Sequence, residues 1–200
     1  YVLLRLIAKF WLKLRGWRLE GDVPKDKKYI LLGVPHTSNW DGIYFLLFAK
    51  SLGIKLRWMG KKSLVKPPLG WITKPLGAVP VDRNSKQNLV EQMREQFEKA
   101  DSLVLTVPPE GTRSLSTHWK SGFYHIAHGS KVPLQLGYLD FKRKIGSFGL
   151  RLEVTGDKKK DMDIIRAFYQ EKDPGPKHPQ KFGPIRLRDE DTEERVSVAK

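Results

Sequence analysis

The sequence predicts an α/β fold: a mostly parallel sheet with helices on both faces, preceded by an N-terminal amphipathic helix. Two observations carry this expectation. From residue 28 onward, apolar runs of strand length alternate with segments of helical period, and strand alternating with helix builds a parallel sheet covered on both sides. The chain has 200 residues, 40% hydrophobic and 10% aromatic, enough for one α/β core and too few for two. The expected organisation is an amphipathic membrane-interface helix over residues 1–20, a folded domain over 21–172 and a Pro- and charge-rich segment over 173–200 that lies over the surface or frays.

The first element reads YVLLRLIAKFWLKLRGW. Arg5, Lys9 and Lys13 recur every four residues and fall on one side of a helix, while Leu3, Leu4, Leu6, Ile7 and Phe10 fill the rest. The stretch before Gly16 is shorter than the roughly 20 residues that cross a bilayer, and its regular charges suit the interface instead. The alternative is a terminal helix packed on its own domain with a solvated basic stripe. No small-residue cleavage site follows the apolar run, which speaks against a signal peptide. The expectation is a peripheral membrane protein at the cytoplasmic face.

Further elements follow in order. A buried strand is expected over Lys28–Val34, a helix over Asn39–Ser51 and a short strand over Leu56–Met59. Residues 61–76, rich in Pro and Gly, read as an irregular segment with short helices. Within it PPLGWITKPLG fits an acyl-chain groove or a packed connector equally well. Then come a strand at Ala78–Val81, a helix at Lys86–Ala100 with Leu89, Val90, Met93 and Phe97 inward, and a strand at Leu103–Val107. A helix near Trp119–His128, strands near Leu134–Leu139 and Leu150–Thr155, and a helix at about Met162–Gln170 complete the series.

Composition narrows the function. With 37 basic residues against 22 acidic, the chain carries a net charge of +15, which calls for an anionic partner: nucleic acid, a membrane surface or a phosphorylated substrate. Nucleic acid is disfavoured, because no helix-turn-helix or RNA-binding signature is present and the aromatics sit in apolar runs. The sequence has no cysteine, so covalent chemistry through a thiol and thiolate metal sites are both excluded. His125 and His128 form an HxxH without a nearby carboxylate, with His118 close by, and no metal site is expected there.

In sheets of this kind, active groups gather in loops at the carboxyl ends of strands. Three loops stand out: His36-Thr37-Ser38-Asn39-Trp40-Asp41, Gly77-Ala78-Val79-Pro80-Val81-Asp82-Arg83, and Pro109-Glu110-Gly111-Thr112-Arg113-Ser114. An unperturbed histidine, with a pKa of roughly 6.5, is suited to take a proton at neutral pH. Positions five apart on a continuous helix lie about 140° apart, so His36 must precede the helix if Asp41 in its first turn is to reach back to the ring. Ser38 or Asn39 supplies the cap.

HTSNWD, GAVPVDR and PEGTRS, in this order, resemble the first three motifs of the glycerolipid acyltransferase family that includes the lysophosphatidic acid acyltransferases, often called PlsC; Lys131-Val132-Pro133 resembles a fourth. The resemblance covers about Leu31 to Leu139. It implies that residues 21–172 form an acyltransferase domain with His36 as general base and Asp41 orienting it. It further implies that Arg83, Glu110, Gly111, Thr112 and Arg113 bind the acceptor, usually through its phosphate. Lys61 resembles a basic position before the second motif, open between a phosphate contact and plain solvation. The implied co-substrates are an acyl thioester, either acyl-CoA or acyl carrier protein, and a lysophospholipid or glycerol-phosphate-like acceptor, with no cofactor and no metal. The sequence differs from the family pattern at Pro35, at Pro109 and after Pro133. Two other readings stay open: a hydrolase using the same His–Asp pair, and a basic membrane- or nucleic-acid-binding domain without catalysis.

Overall fold

Most strands here are short apolar runs stopped by a proline, a glycine or a charge. The computed structural model describes residues 2–81 and 89–188. Among them, β1 (Arg18–Glu20), β2 (Lys28–Val34), β3 (Leu56–Lys61), β4 (Ala78–Val81), β5 (Leu103–Val107), β6 (Leu134–Asp140) and β7 (Ile145–Leu152) form one sheet in the order β1-β7-β6-β2-β5-β3-β4. All neighbours pair in parallel except β6 and β7. The helices are α1 (Val2–Leu14), α2 (Asn39–Leu52), α3 (Gly70–Thr73), α4 (Leu89–Lys99), α5 (Gly122–Ser130) and α6 (Lys158–Lys172), with short 3-10 turns at Lys62–Val65 and Pro179–Lys181.

Because side chains alternate across a strand, β2 serves two cores at once. Ile30, Leu32 and Val34 meet Met93 and Phe97 of α4, Phe123 and Ile126 of α5, and Met162 and Ile165 of α6. Tyr29 and Leu31 face the opposite side, with Phe45 and Phe48 of α2 and Leu12 of α1. Helices therefore cover both faces, as the alternation of elements demands.

Several details depart from the sequence reading. β1 has no apolar pattern because all three of its residues are exposed at the sheet edge, where Arg18 pairs with Ile145. β7 begins at Ile145 rather than near Leu150, because Gly146 and Gly149, which read as breakers, lie inside an antiparallel pair with β6 that carries a bulge between Leu136 and Tyr138. α5 starts at Gly122, since Trp119 is held in an isolated bridge to Leu187. α6 starts earlier than expected, at Lys158, because Asp157 caps its polar first turn by accepting from the Lys160 amide at 3.1 Å. Residues 86–88 of the expected fourth helix lie outside the described residues.

The chain after α6 runs back over the domain. The Phe141 amide donates to the Gly175 carbonyl at 2.8 Å, the Trp119 amide donates to Arg186 at 2.7 Å, and Leu187 is fully buried. Among the described residues no helix is long and apolar enough to cross a membrane.

α1 is fixed by a narrow seam. Ala8 and Leu12 are buried, the Arg5 guanidinium donates to the Ser51 carbonyl at 3.0 Å, and Trp17 stacks on Tyr44 at 4.1 Å with its edges toward Phe48 and Phe141. The wide remainder of the helix, from Val2 to Leu14, points outward. Trp17→Ala is expected to destabilise the protein by about 3–5 kcal/mol, as truncation of a buried aromatic does, while Phe10→Ala on the exposed face changes stability by less than about 0.5 kcal/mol. Urea unfolding of the two variants checks this, and equal losses would mean that α1 is held by its outer face.

Candidate active site

The end of β2 delivers His36 to the carboxyl edge of the sheet, and α2 begins three residues later. Ser38 is the N-cap, in extended conformation, and its hydroxyl accepts from the Trp40 amide at 3.1 Å. Asp41, at the third helical position, completes a capping box. Its Oδ2 accepts from the Thr37 amide at 2.6 Å and the Ser38 amide at 2.7 Å. Two charge-assisted bonds and the positive end of α2 explain how a carboxylate only 1% exposed is tolerated. The same oxygen lies 3.6 Å from His36 Nδ1, longer than a hydrogen bond, with the imidazole 22% exposed. Asp41 thus shapes the turn first and faces the ring second.

β5 is the neighbour of β2, so its loop arrives beside His36 although 74 residues separate the two. The Glu110 carboxyl is buried and its Oε1 accepts from the His36 amide at 3.0 Å, while Oε2 has no hydrogen-bond partner. Burial pushes its pKa up to about 7, with the bonded amides opposing that rise. Burial, and next the Glu110 charge, also holds the Tyr169 hydroxyl well above its usual range. The Glu110 carboxyl is not part of the cavity wall, and its bond to the His36 amide ties the loop after β5 to the loop after β2.

A cavity of about 880 Å³ opens between these loops. It lies where the chain leaves β2 for one face of the sheet and β5 for the other, the crevice in which α/β proteins hold ligands. His36, Asn39, Gly111 and Arg113 line it, and Ile43, Leu46, Met59, Val90, Phe123 and Ile126 supply apolar wall. The Arg113 guanidinium donates to Asn39 Oδ1, which links the third motif to the first. Gly111 adopts a φ of +65°, and a Cβ there would come within 2.8 Å of the Lys120 stem. Lys120 itself lines the cavity, a cation that the motif reading missed. The available signal was its place just after the PEGTRS loop, where its amide donates to the Pro109 carbonyl at 2.8 Å.

The other expected residues fall elsewhere. Thr112 is exposed and its hydroxyl accepts from the Ser114 amide at 3.2 Å. Lys61 is exposed at the end of β3 and is not part of the cavity wall. Arg83 lies outside the described residues. Among the described residues no cluster of three His, Asp or Glu side chains could hold a metal ion.

Such a site, a histidine near a buried carboxylate on the wall of a largely apolar cavity, is suited to chemistry on acyl chains. The acyltransferase family model matches residues 18–136, more than half of the chain, and the chain belongs to that family. The fold is similar to that in the crystal structure of the 1-acyl-sn-glycerophosphate (LPA) acyltransferase, PlsC, from Thermotoga maritima. The two share a TM-score of 0.59 and 16% sequence identity, over 88% of this chain and 80% of that one. No curated protein sequence gives a significant match.

The raised Glu110 pKa has a consequence for stability. Between pH 4.5 and about 7 the folded protein holds a proton that the unfolded chain has lost, so this contribution is complete below pH 4.5 and disappears as pH rises through about 7. It is on the order of 3 kcal/mol. The unfolding free energy of wild type is therefore expected to fall across that window relative to Glu110→Gln, whose neutral amide keeps the acceptor for His36. Parallel pH profiles for the two proteins would rule out a protonated Glu110.

Proposed function

We propose that this protein transfers a fatty acyl group from a thioester donor to the hydroxyl of a lysophospholipid or glycerol-phosphate-like acceptor. The observation that carries the reading is the position of His36, on the wall of an apolar cavity of about 880 Å³ that also presents Arg113 and Lys120. That volume lies near the top of the range of roughly 300–1,000 Å³ found for ligand sites. The walls suit an acyl chain, and the cations suit a phosphate.

In this mechanism His36 Nε2 takes the proton of the acceptor hydroxyl as its oxygen attacks the thioester carbonyl carbon. A C–O bond forms and the C–S bond breaks. The proton then passes from the imidazolium to the departing thiolate. Asp41 steadies the loop that carries the ring and stabilises the imidazolium while it exists. No acyl-enzyme is needed, in keeping with a sequence without cysteine. The donor is acyl-CoA or acyl carrier protein, both anionic and matched to a chain of net charge +15. α1 holds the enzyme on the cytoplasmic leaflet, its outward apolar residues in the interface and its cations at anionic headgroups.

Incubating the protein with labelled acyl thioesters and a panel of lysolipids, with products identified by mass spectrometry, tests the reading directly. His36→Ala is expected to lower turnover by about 10²- to 10⁴-fold with an unchanged circular dichroism spectrum. Asp41→Asn should lose less, since the ring remains. Near-wild-type turnover in His36→Ala would exclude the general base, and free fatty acid formed equally well without acceptor would mark a hydrolase instead.

The cavity cations generate a separate expectation. Arg113→Lys keeps the charge and loses the planar fork, so it should raise the KM for a phosphate-bearing acceptor while leaving donor KM nearly unchanged. Lys120→Ala should act in the same direction. Equal slowing of phosphorylated and neutral acceptors by Arg113→Lys would instead assign Arg113 to holding the loop through Asn39.

A further inference from the structure

The connection between β3 and β4 presents apolar side chains to solvent on a backbone that is firmly held. Trp71 is 75% exposed and Ile72 65%, with Leu69 and Leu76 also exposed. Beneath them the segment is closed by its own bonds. The Gly70 amide donates to Lys66 at 2.7 Å, and the Thr73 hydroxyl donates to Leu64 at 2.6 Å. Val65 and Gly70 are buried against each other so closely that a Cβ on Gly70 would lie 2.2 Å from the Val65 carbonyl oxygen. These apolar side chains are displayed by a fixed scaffold, and an exposed apolar patch of this kind marks an interaction surface.

Its place in the fold is defined. A parallel crossover is right-handed, and β3 to β4 steps across the sheet in the same direction as β2 to β3, so both connections cover the same face. Side chains agree: Leu56 packs in the α1–α2 cluster, Trp58 shares its face two residues on, and the Trp58 indole donates to the Leu76 carbonyl at 3.0 Å. α1, α2 and the 62–77 connection therefore lie on one side of the sheet. Between the two outer elements stand Trp40 and Ile43 of α2, both exposed, and Ile43 and Trp58 line the cavity.

Charge identifies the partner. From Gly42 to Val81 the sequence has no Asp or Glu, and it has seven cations: Lys50, Lys55, Arg57, Lys61, Lys62, Lys66 and Lys74. Val2 to Leu19 likewise has no acid, and it contains Arg5, Lys9, Lys13, Arg15 and Arg18. The helices of the opposite face are mixed in sign: Glu91, Glu95 and Glu98 of α4 and Asp163 and Glu171 of α6 stand among Arg94, Lys99, Lys158, Lys159, Lys160, Arg166 and Lys172, so the stretch of cations without acids belongs to the α1–α2 side. A surface that is apolar at its tips and cationic around them fits an anionic bilayer, where each cation near the leaflet contributes about 1 kcal/mol and tryptophan sits at headgroup level.

We propose that residues 62–77 are a second membrane-docking element, which inserts Trp71 and Ile72 into an anionic lipid surface on the same side as α1 and so turns the Ile43–Trp58 wall of the cavity toward the lipid. The proposal goes beyond the reading of α1 and is independent of acyl transfer.

Binding is measured on the intact chain carrying His36→Ala, without donor or acceptor, so that a failed catalytic reading leaves the outcome unaffected. The probes are vesicles of phosphatidylcholine alone or mixed with phosphatidylglycerol. Trp71→Ser/Ile72→Ser is expected to weaken binding to the mixed vesicles by roughly tenfold or more, with an unchanged thermal midpoint because both side chains are exposed. Leu4→Ser/Phe10→Ser in α1 should weaken it separately, and the two effects should multiply. Lys66→Glu/Lys74→Glu should remove much of the preference for phosphatidylglycerol. Brominated lipids should quench the parent protein's tryptophan emission more than that of Trp71→Phe. Wild-type-like binding by Trp71→Ser/Ile72→Ser, or equal quenching with and without Trp71, overturns the proposal. So does self-association of the lipid-free protein that this double variant abolishes, which would assign the patch to a second copy of the chain.

Discussion

The site depends on one backbone amide. His36 N–H is held by the buried carboxyl of Glu110, and that bond exists only because β2 and β5 are neighbours in the sheet. Strand pairing alone aligns the two strand ends; the hydrogen bond fixes how the loops beyond them are turned. Glu110 and Asp41 divide the work on either side of the imidazole. One carboxyl anchors the backbone before the helix, and the other gathers the Thr37 and Ser38 amides at its first turn. Two buried acids so close together would repel if both were charged, and burial already pushes Glu110 toward its neutral form. The loop is thereby built from one carboxylate and one group poised near neutrality.

The sheet divides the molecule into unlike halves. On the α4–α5–α6 side, Met93, Phe97, Phe123, Met162 and Ile165 close a complete core, with Trp119 and Leu187 sealing it from the C-terminal segment. On the α1–α2 side the core is thinner, centred on the aromatic group of Trp17, Tyr44, Phe48 and Phe141, and much of the apolar surface of α1 stays outside it. The cavity lies at the carboxyl end of the strands, where the loops part toward the two halves. The C-terminal segment reaches the histidine loop and the start of α2: the His178 amide donates to the Thr37 hydroxyl at 3.2 Å, and the Lys177 ammonium stands 5.8 Å from the Trp40 ring. Residues beyond the reach of the family model therefore bear on the histidine loop.

Much of the fold was legible because its signals are local. Lys28–Val34, Ala78–Val81 and Leu103–Val107 are apolar runs whose ends are marked by proline or charge, and the structure places strands at those residues. The signals failed where pairing, not composition, makes the element. Arg18–Glu20 is a strand because β7 offers it an edge, and Ile145–Gly149 is extended despite two glycines because β6 runs beside it. At the site, the five-residue spacing of His36 and Asp41 says little alone; their approach was readable because the pair stands between an apolar strand and a helix with Ser38 or Asn39 as its cap. The Arg113 bond to Asn39 was not, since it joins residues distant in sequence through a loop of no regular period, and Lys120 carried only the weak signal of its place after the PEGTRS loop.

The strand order also governs how this chain comes into being. β2 is made before both of its partners, β5 and β6, and 74 residues separate His36 from Glu110. At about 5–20 residues per second, a ribosome needs roughly 4–15 s to cross that interval. Throughout that time Tyr29 to Val34 has both edges open and no lasting neighbour, while α1 has already emerged with its apolar face uncovered. A nascent chain in that state favours association with other surfaces. The central position that gives β2 a partner on each side in the finished sheet leaves it with two open edges in the growing one.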